Sequence, residues 1–390
     1  MKMLVLSLFI VNFIFAANAQ DEYSSIAGGA WDIPATWQNI TQAENPATTK
    51  PGALDNVTIN NHTVIIDQDE SVNNITLANT AIGGMIIQPT VSAPGHVLTV
   101  NGSIVNSGVL GSIIIGDFAK VSMVGSTVTF ITPLGSNMSF LGALGTLEIN
   151  NSVGVDIALG TYTVVNCYGI VSVVSGNFTT DDRLVLKAAT PTSFGRFSFT
   201  DYDATVLPNA GRTVYPGTIT GDVTMEKVIE PTSLADNAGW RQWSFPLNAT
   251  ASDITGLDIQ GTGHIPATAI NAYSWNAEGD GASTGDPSPL GNGKTLNSGA
   301  AAGWATGWES VDETSIYGKG LTVYSTQNTN TNTAYGYSIS NTISITGTVA
   351  TGNVTGGYDI SGNAAPADIY LPGSQDPGLP DLGGTSTDDI

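Results

Sequence analysis

Residues 52–77 read GALDNVTINNHTVIIDQDESVNNITL, and the order of apolar and polar residues here decides the fold. Val57-Thr58-Ile59, Val64-Ile65-Ile66 and Ile75-Thr76-Leu77 are brief runs rich in β-branched residues, which favour extended backbone. Asn60-Asn61 and Asn73-Asn74 separate them, and asparagine suits tight corners because it tolerates left-handed backbone. His62 precedes the second run, and Asp67, Asp69 and Glu70 follow it. The stretch is therefore either a catalytic or metal-binding surface or the coat of a β-structure.

The same pattern continues from Asp55 to about Ala188. Met85-Ile86-Ile87, Val97-Leu98-Thr99-Val100, Ile113-Ile114-Ile115, Leu147-Glu148-Ile149 and Leu184-Val185-Leu186 are further runs, parted by Gly, Asn or Ser. Corresponding runs recur at roughly 18 to 26 residues, the length of one solenoid coil. A single coil cannot bury its inward apolar row, so stacked coils bury it for one another. A β-sandwich also alternates, but runs this short and imperfectly periodic favour the solenoid. The expected fold is all-β: a right-handed parallel β-solenoid (β-helix-like) followed by a β-sandwich-like module.

The first twenty residues carry Lys2, an apolar core from Leu4 to Phe15 and an A-x-A site at Ala17-Asn18-Ala19, the pattern of a secretory signal. The core has about 12 apolar residues where a membrane span needs about 20. Residues 1–19 are thus expected to be a signal peptide, 20–54 a lead-in or cap, and 55–188 the solenoid. Pro191, Pro208 and Pro216 mark 189–222 as a connector. Residues 223–360, with Trp240, Trp243, Trp275, Trp304 and Trp308, form the β-rich module, and 361–390 a disordered or truncated tail. No later segment is expected to cross a membrane.

The chain has 11 Lys and Arg against 33 Asp and Glu, a net charge of −22. Phosphate contacts need clustered Lys or Arg, so the charge opposes binding to anionic lipid, and no nucleic-acid partner is expected. The charge fraction of 11% with 46 Gly argues for short strands and turns over helices. A single cysteine, Cys167, permits no intramolecular disulfide. Lacking a cationic neighbour in sequence, it reads as a buried strand residue, not a nucleophile.

The candidate sites are few. His62, His96 and His264 lie in different segments without metal-ligand spacing. Asp67, Asp69 and Glu70 and the pair Asp181-Asp182 read as solvated corner acids. Paired carboxylates can hydrolyse glycosides, but Asp181-Asp182 has neither the Gly-His-Gly nor the Arg-x-Lys companion of solenoid pectin hydrolases. The solenoid lyases' basic residue is scarce as well, since the first 182 residues hold only Lys2, Lys50 and Lys120. Asp280 and Asp286 are weak calcium candidates in a polar loop without an EF-hand frame. Trp240-Arg241-Gln242-Trp243 is the most distinctive cluster. Taken as alternate strand positions, it is expected to set both indoles on one face, as a core anchor or as a weak carbohydrate platform.

GAWDIPATWQNITQ, PGALDNVTINNHTVIID, VNNITL and VLTVNGSIVNSG together resemble the N-terminal region of large exported proteins of Bacteroidota. RLVLKA, GDVTMEKVIEP and GWRQWSFPL resemble the next module of those proteins, from about residue 28 to 360 in all. The resemblance implies type IX secretion cargo displayed on the cell or released, often adhesin-like. The sorting domain such cargo usually carries, with its late Gly/Lys-rich strand motif, is not matched after Ile360. The functional expectation is a secreted or cell-surface, non-enzymatic, structural or adhesin-like protein without cofactor. Its expected partners are extracellular glycans or cell-surface components. The competing expectation is a carbohydrate-binding or polysaccharide-degrading extracellular protein, and a third is a structural piece of a longer chain.

Overall fold

Because side chains alternate across a strand, Val57 and Ile59 must share one face, as must Ile75 and Leu77. In the computed structural model both pairs are fully buried and stack on each other, with Val57 paired to Ile75 and Ile59 to Leu77. The structure describes residues 20–78, 84–88, 95–109, 111–134, 136–158, 163–190, 193–198, 215–228, 239–244, 247–249, 253–257, 272–275, 308–310, 320–325 and 339–349. Among these the chain is all-β, with extensive parallel pairing. No α-helix occurs among the described residues, and Pro34–Thr36 is a 3-10 turn. Two compact units divide it: Met1–Asn166 with Ser175–Asn177, and Cys167–Val174 with Phe178–Ile390.

The first unit contains three parallel ladders. In the first, Glu22–Ser25, Asn56–Ile59, Asn74–Leu77, Ile104–Asn106, Thr129–Pro133 and Val155–Ile157 pair in succession. The second joins Gly29–Ala30, Thr63–Ile66, Gly84–Ile87, Gly111–Ile115 and Met138–Leu141. The third joins Glu70–Val72, Val97–Val100, Lys120–Met123 and Thr146–Asn150. The chain visits the ladders in turn, so each repeat gives one strand to each. Val57, Ile75, Ile104, Ile131 and Ile157 lie in one register row, at separations of 18, 29, 27 and 26 residues. The two longest exceed the expected spacing, and the added residues fall between strands, as between Ile87 and Val97.

Each inward row is almost wholly aliphatic. Val64, Met85, Ile113 and Phe140 form one, and Val72, Val100, Met123 and Ile149 another, all buried. Burying one such side chain contributes about 1.5–3 kcal/mol, and stacking repeats that gain at every step. Two inward-turned asparagines interrupt the pattern, and each is fully bonded. Asn106 donates to the carbonyl of Ser136 (3.0 Å) and accepts from Gly108 N–H (3.1 Å). Asn151 donates to the carbonyl of Thr127 (2.8 Å) and accepts from Val153 N–H (3.0 Å). A Cβ at Gly111 would lie 2.1 Å from the Asn106 amide carbon, so the small residue there makes room for the buried amide.

The beginning of this unit is closed. Trp31 and Trp37 are fully buried, edge-to-face at 4.9 Å, and Trp37 Nε1 donates to the Trp31 carbonyl at 2.8 Å. Trp37–Asn39 runs antiparallel to Glu22–Ser25, and the second ladder starts with the two-residue strand Gly29–Ala30. Short first strands leave little free edge for another chain to extend. Parallel pairing thus takes in residues assigned from sequence to the cap.

In the second unit, Leu184–Leu186 pairs in parallel with Asp222–Val228, and Ile170–Ser175 with Arg196–Ser198. Parallel pairing thus also includes residues assigned to the connector. Asp222–Val228 is where the pairing mode changes, because its other edge runs antiparallel to Ile339–Val349. Leu247–Asn248 and Ile254–Leu257 are antiparallel to that long strand too. Val223, Met225, Leu247, Ile343 and Ile345 are buried around it. Gly239–Ser244, Gly320–Ser325, Ala272–Trp275 and Trp308–Ser310 make a separate antiparallel sheet.

Candidate functional site

With the inward rows filled, the outward rows are what the first unit presents to other molecules, and the three ladders present different chemistry. The first displays Ser24, Thr58, Thr76, Val105 and Thr132 in one register row. Asn56 accepts from the amides of Asn73 (3.1 Å) and Asn74 (2.7 Å) and donates to Glu22 (2.6 Å). The third has Ser71, Thr99, Ser122 and Glu148 in this row, of which Ser122 is itself buried. Glu148 accepts from Lys120 Nζ (2.8 Å) and from the Ser122 hydroxyl (2.7 Å). The second ladder displays Ala30, Ile65, Ile86, Ile114 and Leu141. Its outward row is aliphatic.

The acids divide by position. Asp67 is exposed, as expected of a solvated corner. Asp69 accepts the backbone N–H of Val97 at 2.9 Å. Glu70 is a correction to the corner reading, since it occupies an inward position opposite Leu98, and its side chain is only 4% exposed. Lys50 Nζ donates to both its oxygens (2.6 and 2.9 Å) and Gln68 Nε2 to one (2.8 Å). A carboxylate tolerates burial when donors replace the lost water, and the first strand of the ladder leaves room for them.

Asp181 and Asp182 form a corner, both in left-handed backbone at φ 49° and 57°. Asp181 lies 3.4 Å from Arg183 Nε, and Asp182 accepts the Asp222 N–H at 2.6 Å. Asp182 is exposed and Asp181 half-exposed, as expected of solvated corner acids, and Asp182 also holds a backbone N–H. Burial, and then the charges of Asp182 and Asp253, raise the Asp222 carboxyl above its ordinary value. His62 Nδ1 sits 3.1 Å from the Ser25 hydroxyl, whose oxygen accepts the Asn60 N–H at 2.8 Å. His96 is half-buried at the start of Val97–Val100. No group of three or more metal-ligating side chains occurs among the described residues.

Cys167 is buried, and burial pushes its thiol up to about 12 despite the N–H of Gly169 and the charge of Arg196. Such a thiol is scarcely ionised near neutrality. Lys187 Nζ meets Glu226 at 2.5 Å, and the half-buried Lys227 stands 5.1 Å over the Phe194 ring, its ammonium pKa lowered by burial.

Trp240 and Trp243 lie on the strand Gly239–Ser244 of the separate antiparallel sheet. Gly239–Ser244 pairs without a register shift, Trp240 opposite Tyr324 and Trp243 opposite Leu321. Asp280, Asp286 and His264 lie outside the described residues, as do the signal segment 1–19 and the tail 361–390.

Sequence reasoning missed the ion pair at Glu70 and the aliphatic outward row. The second had a signal. Val57-Thr58-Ile59 and Ile75-Thr76-Leu77 carry a polar residue in the middle, whereas Val64-Ile65-Ile66, Met85-Ile86-Ile87 and Ile113-Ile114-Ile115 do not. An unbroken triplet on a one-sided sheet puts an apolar residue outside. Compared with known protein families, with curated proteins and with solved structures, the chain matches none.

Proposed function

We propose that this chain is an exported, non-enzymatic structural protein of the cell surface or extracellular space, adhesin-like. Its architecture is a right-handed parallel β-solenoid followed by a β-sandwich-like module. The observation that carries this reading is the stacking of three parallel ladders through successive repeats, each repeat adding one strand to each ladder. Such stacking lengthens a chain without enlarging its core and sequesters the backbone from proteases. The Ser/Thr/Asn rows of the first ladder and the polar row of the third suit display in water. The signal-like first twenty residues and the resemblance to exported Bacteroidota proteins agree with it. Extracellular glycans and cell-surface components are the partners in this reading, and the type IX route is its export path.

The test is to express the whole chain in a bacterium that has the type IX system and treat intact cells with protease. Recovery of the chain from the surface or medium, with adhesion that declines on gene deletion, is the expected result. A chain retained in the cytoplasm, or one that releases sugars from polysaccharide, would overturn the proposal. Glycan binding abolished by Trp243→Ala in a still-folded chain would favour the carbohydrate-binding alternative.

A further inference from the structure

We propose that export leaves this chain beginning at Gln20, and that Gln20 closes on itself as an N-terminal pyroglutamate. The inference rests on the exported reading proposed above and adds a covalent modification site to it. Residues 16–21 read AANAQD, and Ala17-x-Ala19 is the frame there with small residues at both recognition positions. Cleavage after Ala19 makes Gln20 the first residue.

The fold marks the same boundary. Asp21 is held by four hydrogen bonds. Its N–H donates to Asp55 Oδ1 (2.9 Å), and its carbonyl accepts the Asn56 N–H (2.9 Å). Its carboxylate accepts from Asn39 Nδ2 (2.9 Å) and Gln42 Nε2 (3.1 Å). Glu22–Ser25 follows at once, paired on both edges, with Trp37–Asn39 and with Asn56–Ile59. Gln20 precedes these bonds and is exposed. A chain end is ordered where hydrogen bonds tie it down, so the mature chain carries one overhanging residue.

The acids beside that residue are engaged by neutral donors. Besides the bonds of Asp21, Glu22 Oε1 accepts from Asn56 Nδ2 (2.6 Å), and Asp55 Oδ2 accepts the Gly52 N–H (2.8 Å). A free α-ammonium at residue 20 would compete with these amides for the carboxylate oxygens. Pyroglutamate brings no charge and leaves them as they are.

The chemistry needs only the residue itself. An α-amine has an ordinary pKa of about 7.7–8.0, so a fraction of it is unprotonated near neutrality. The amine nitrogen attacks Cδ of its own side chain, and the new C–N bond closes a lactam ring. The Cδ–Nε2 bond breaks, and the carboxamide nitrogen leaves as ammonia with the proton that the amine gives up. No oxidant, reductant or second substrate enters, and holding both groups on one residue replaces a bimolecular encounter. The ring removes the primary amine that aminopeptidases grip. Trimming through Asp21 would take the carboxylate from Asn39 and Gln42 and loosen the closed beginning of the unit.

The test is N-terminal peptide mapping by mass spectrometry on the whole chain, recovered from the type IX bacterium in whichever fraction it lies. The expected N-terminal peptide begins at Gln20 and is lighter than its sequence by one ammonia. It resists Edman degradation until pyroglutamyl aminopeptidase removes the ring. Gln20→Ser should keep a free amine, melt with the wild type, and lose residues to a general aminopeptidase that leaves the wild type whole. A peptide that begins at Gln20 with its amine free, or at Asp21, overturns the proposal and leaves export standing. A chain that still begins at Met1 overturns the exported reading and this proposal with it. A Gln20→Ser chain as resistant as the wild type overturns the protective role, the fold alone then guarding the end.

Discussion

Thr58 and Thr76 in the first ladder and Ile65 and Ile86 in the second hold equivalent places, outward in the middle of a strand between two buried residues. The inward neighbours are alike, Val57 and Ile59 against Val64 and Ile66, all buried. Only the outward residue differs. The inward residues are dictated by stacking, because a polar one there must bring its own bonds. The outward residues leave packing almost unchanged, so their identity records what each face meets.

The inward half of that contrast predicts the largest effect. Ile75→Ala in the first ladder and Ile113→Ala in the second should each cost about 2–5 kcal/mol, the lost burial plus the cavity left behind. Equilibrium urea unfolding measures both. Two costs of similar size support a common core, whereas an Ile113→Ala variant close to wild type would show that the second ladder is not packed like the first.

Next comes the position where the inward rule is broken. Lys50→Ala strands the buried Glu70 carboxylate, which keeps only the Gln68 donor from its side-chain partners. Removing one partner of a fully buried pair costs roughly 3–5 kcal/mol. The Lys50 side chain is 40% exposed, and with solvent screening about 1–2 kcal/mol is expected. The double variant Lys50→Met/Glu70→Leu should recover most of it, because an aliphatic residue opposite Leu98 continues the row. A double variant as unstable as the single one would mean that Glu70 is needed for more than closing the ladder.

Asn106→Ala is the intermediate case, an inward polar residue whose bonds are internal. Its loss takes the amide donor from the Ser136 carbonyl, while the Gly108 N–H keeps the Leu77 carbonyl at 3.1 Å, at a cost of about 1 kcal/mol. The effect should appear in thermal melts as a lower Tm, with pairing on either side intact by hydrogen exchange. A neutral substitution would show that water replaces the amide.

How much of this was legible follows from the same contrast. Val57-Thr58-Ile59 alternates, so strand, buried face and exposed face could all be read from it. Ile113-Ile114-Ile115 does not, and it fixed a strand without saying which residues lay inside. Glu70 read as a corner acid because it ends an acidic run. Its neighbour Lys50 is 20 residues away, brought close only by the course of the chain. The role of Asp222–Val228 as the strand where pairing changes mode was hidden for a similar reason. Its antiparallel partner Ile339–Val349 lies more than a hundred residues on, and no local pattern announces such a pairing.

The smallest expected effect tests the contrast most directly, by exchanging the two outward residues. Thr76→Ile writes the second ladder's outward residue onto the first, and Ile114→Thr does the reverse. Both residues are β-branched and suit a strand, and neither site faces the core, so each change should alter stability by no more than about 0.5 kcal/mol. What should move is the surface. Ile114→Thr removes an exposed aliphatic group from the uncharged face and should lower binding of a hydrophobic dye. Thr76→Ile interrupts the first ladder's hydroxyl row and should raise it. If the exchange instead cost several kcal/mol, the outward rows would be part of the packing, and the separation between what folds this unit and what it displays would fail.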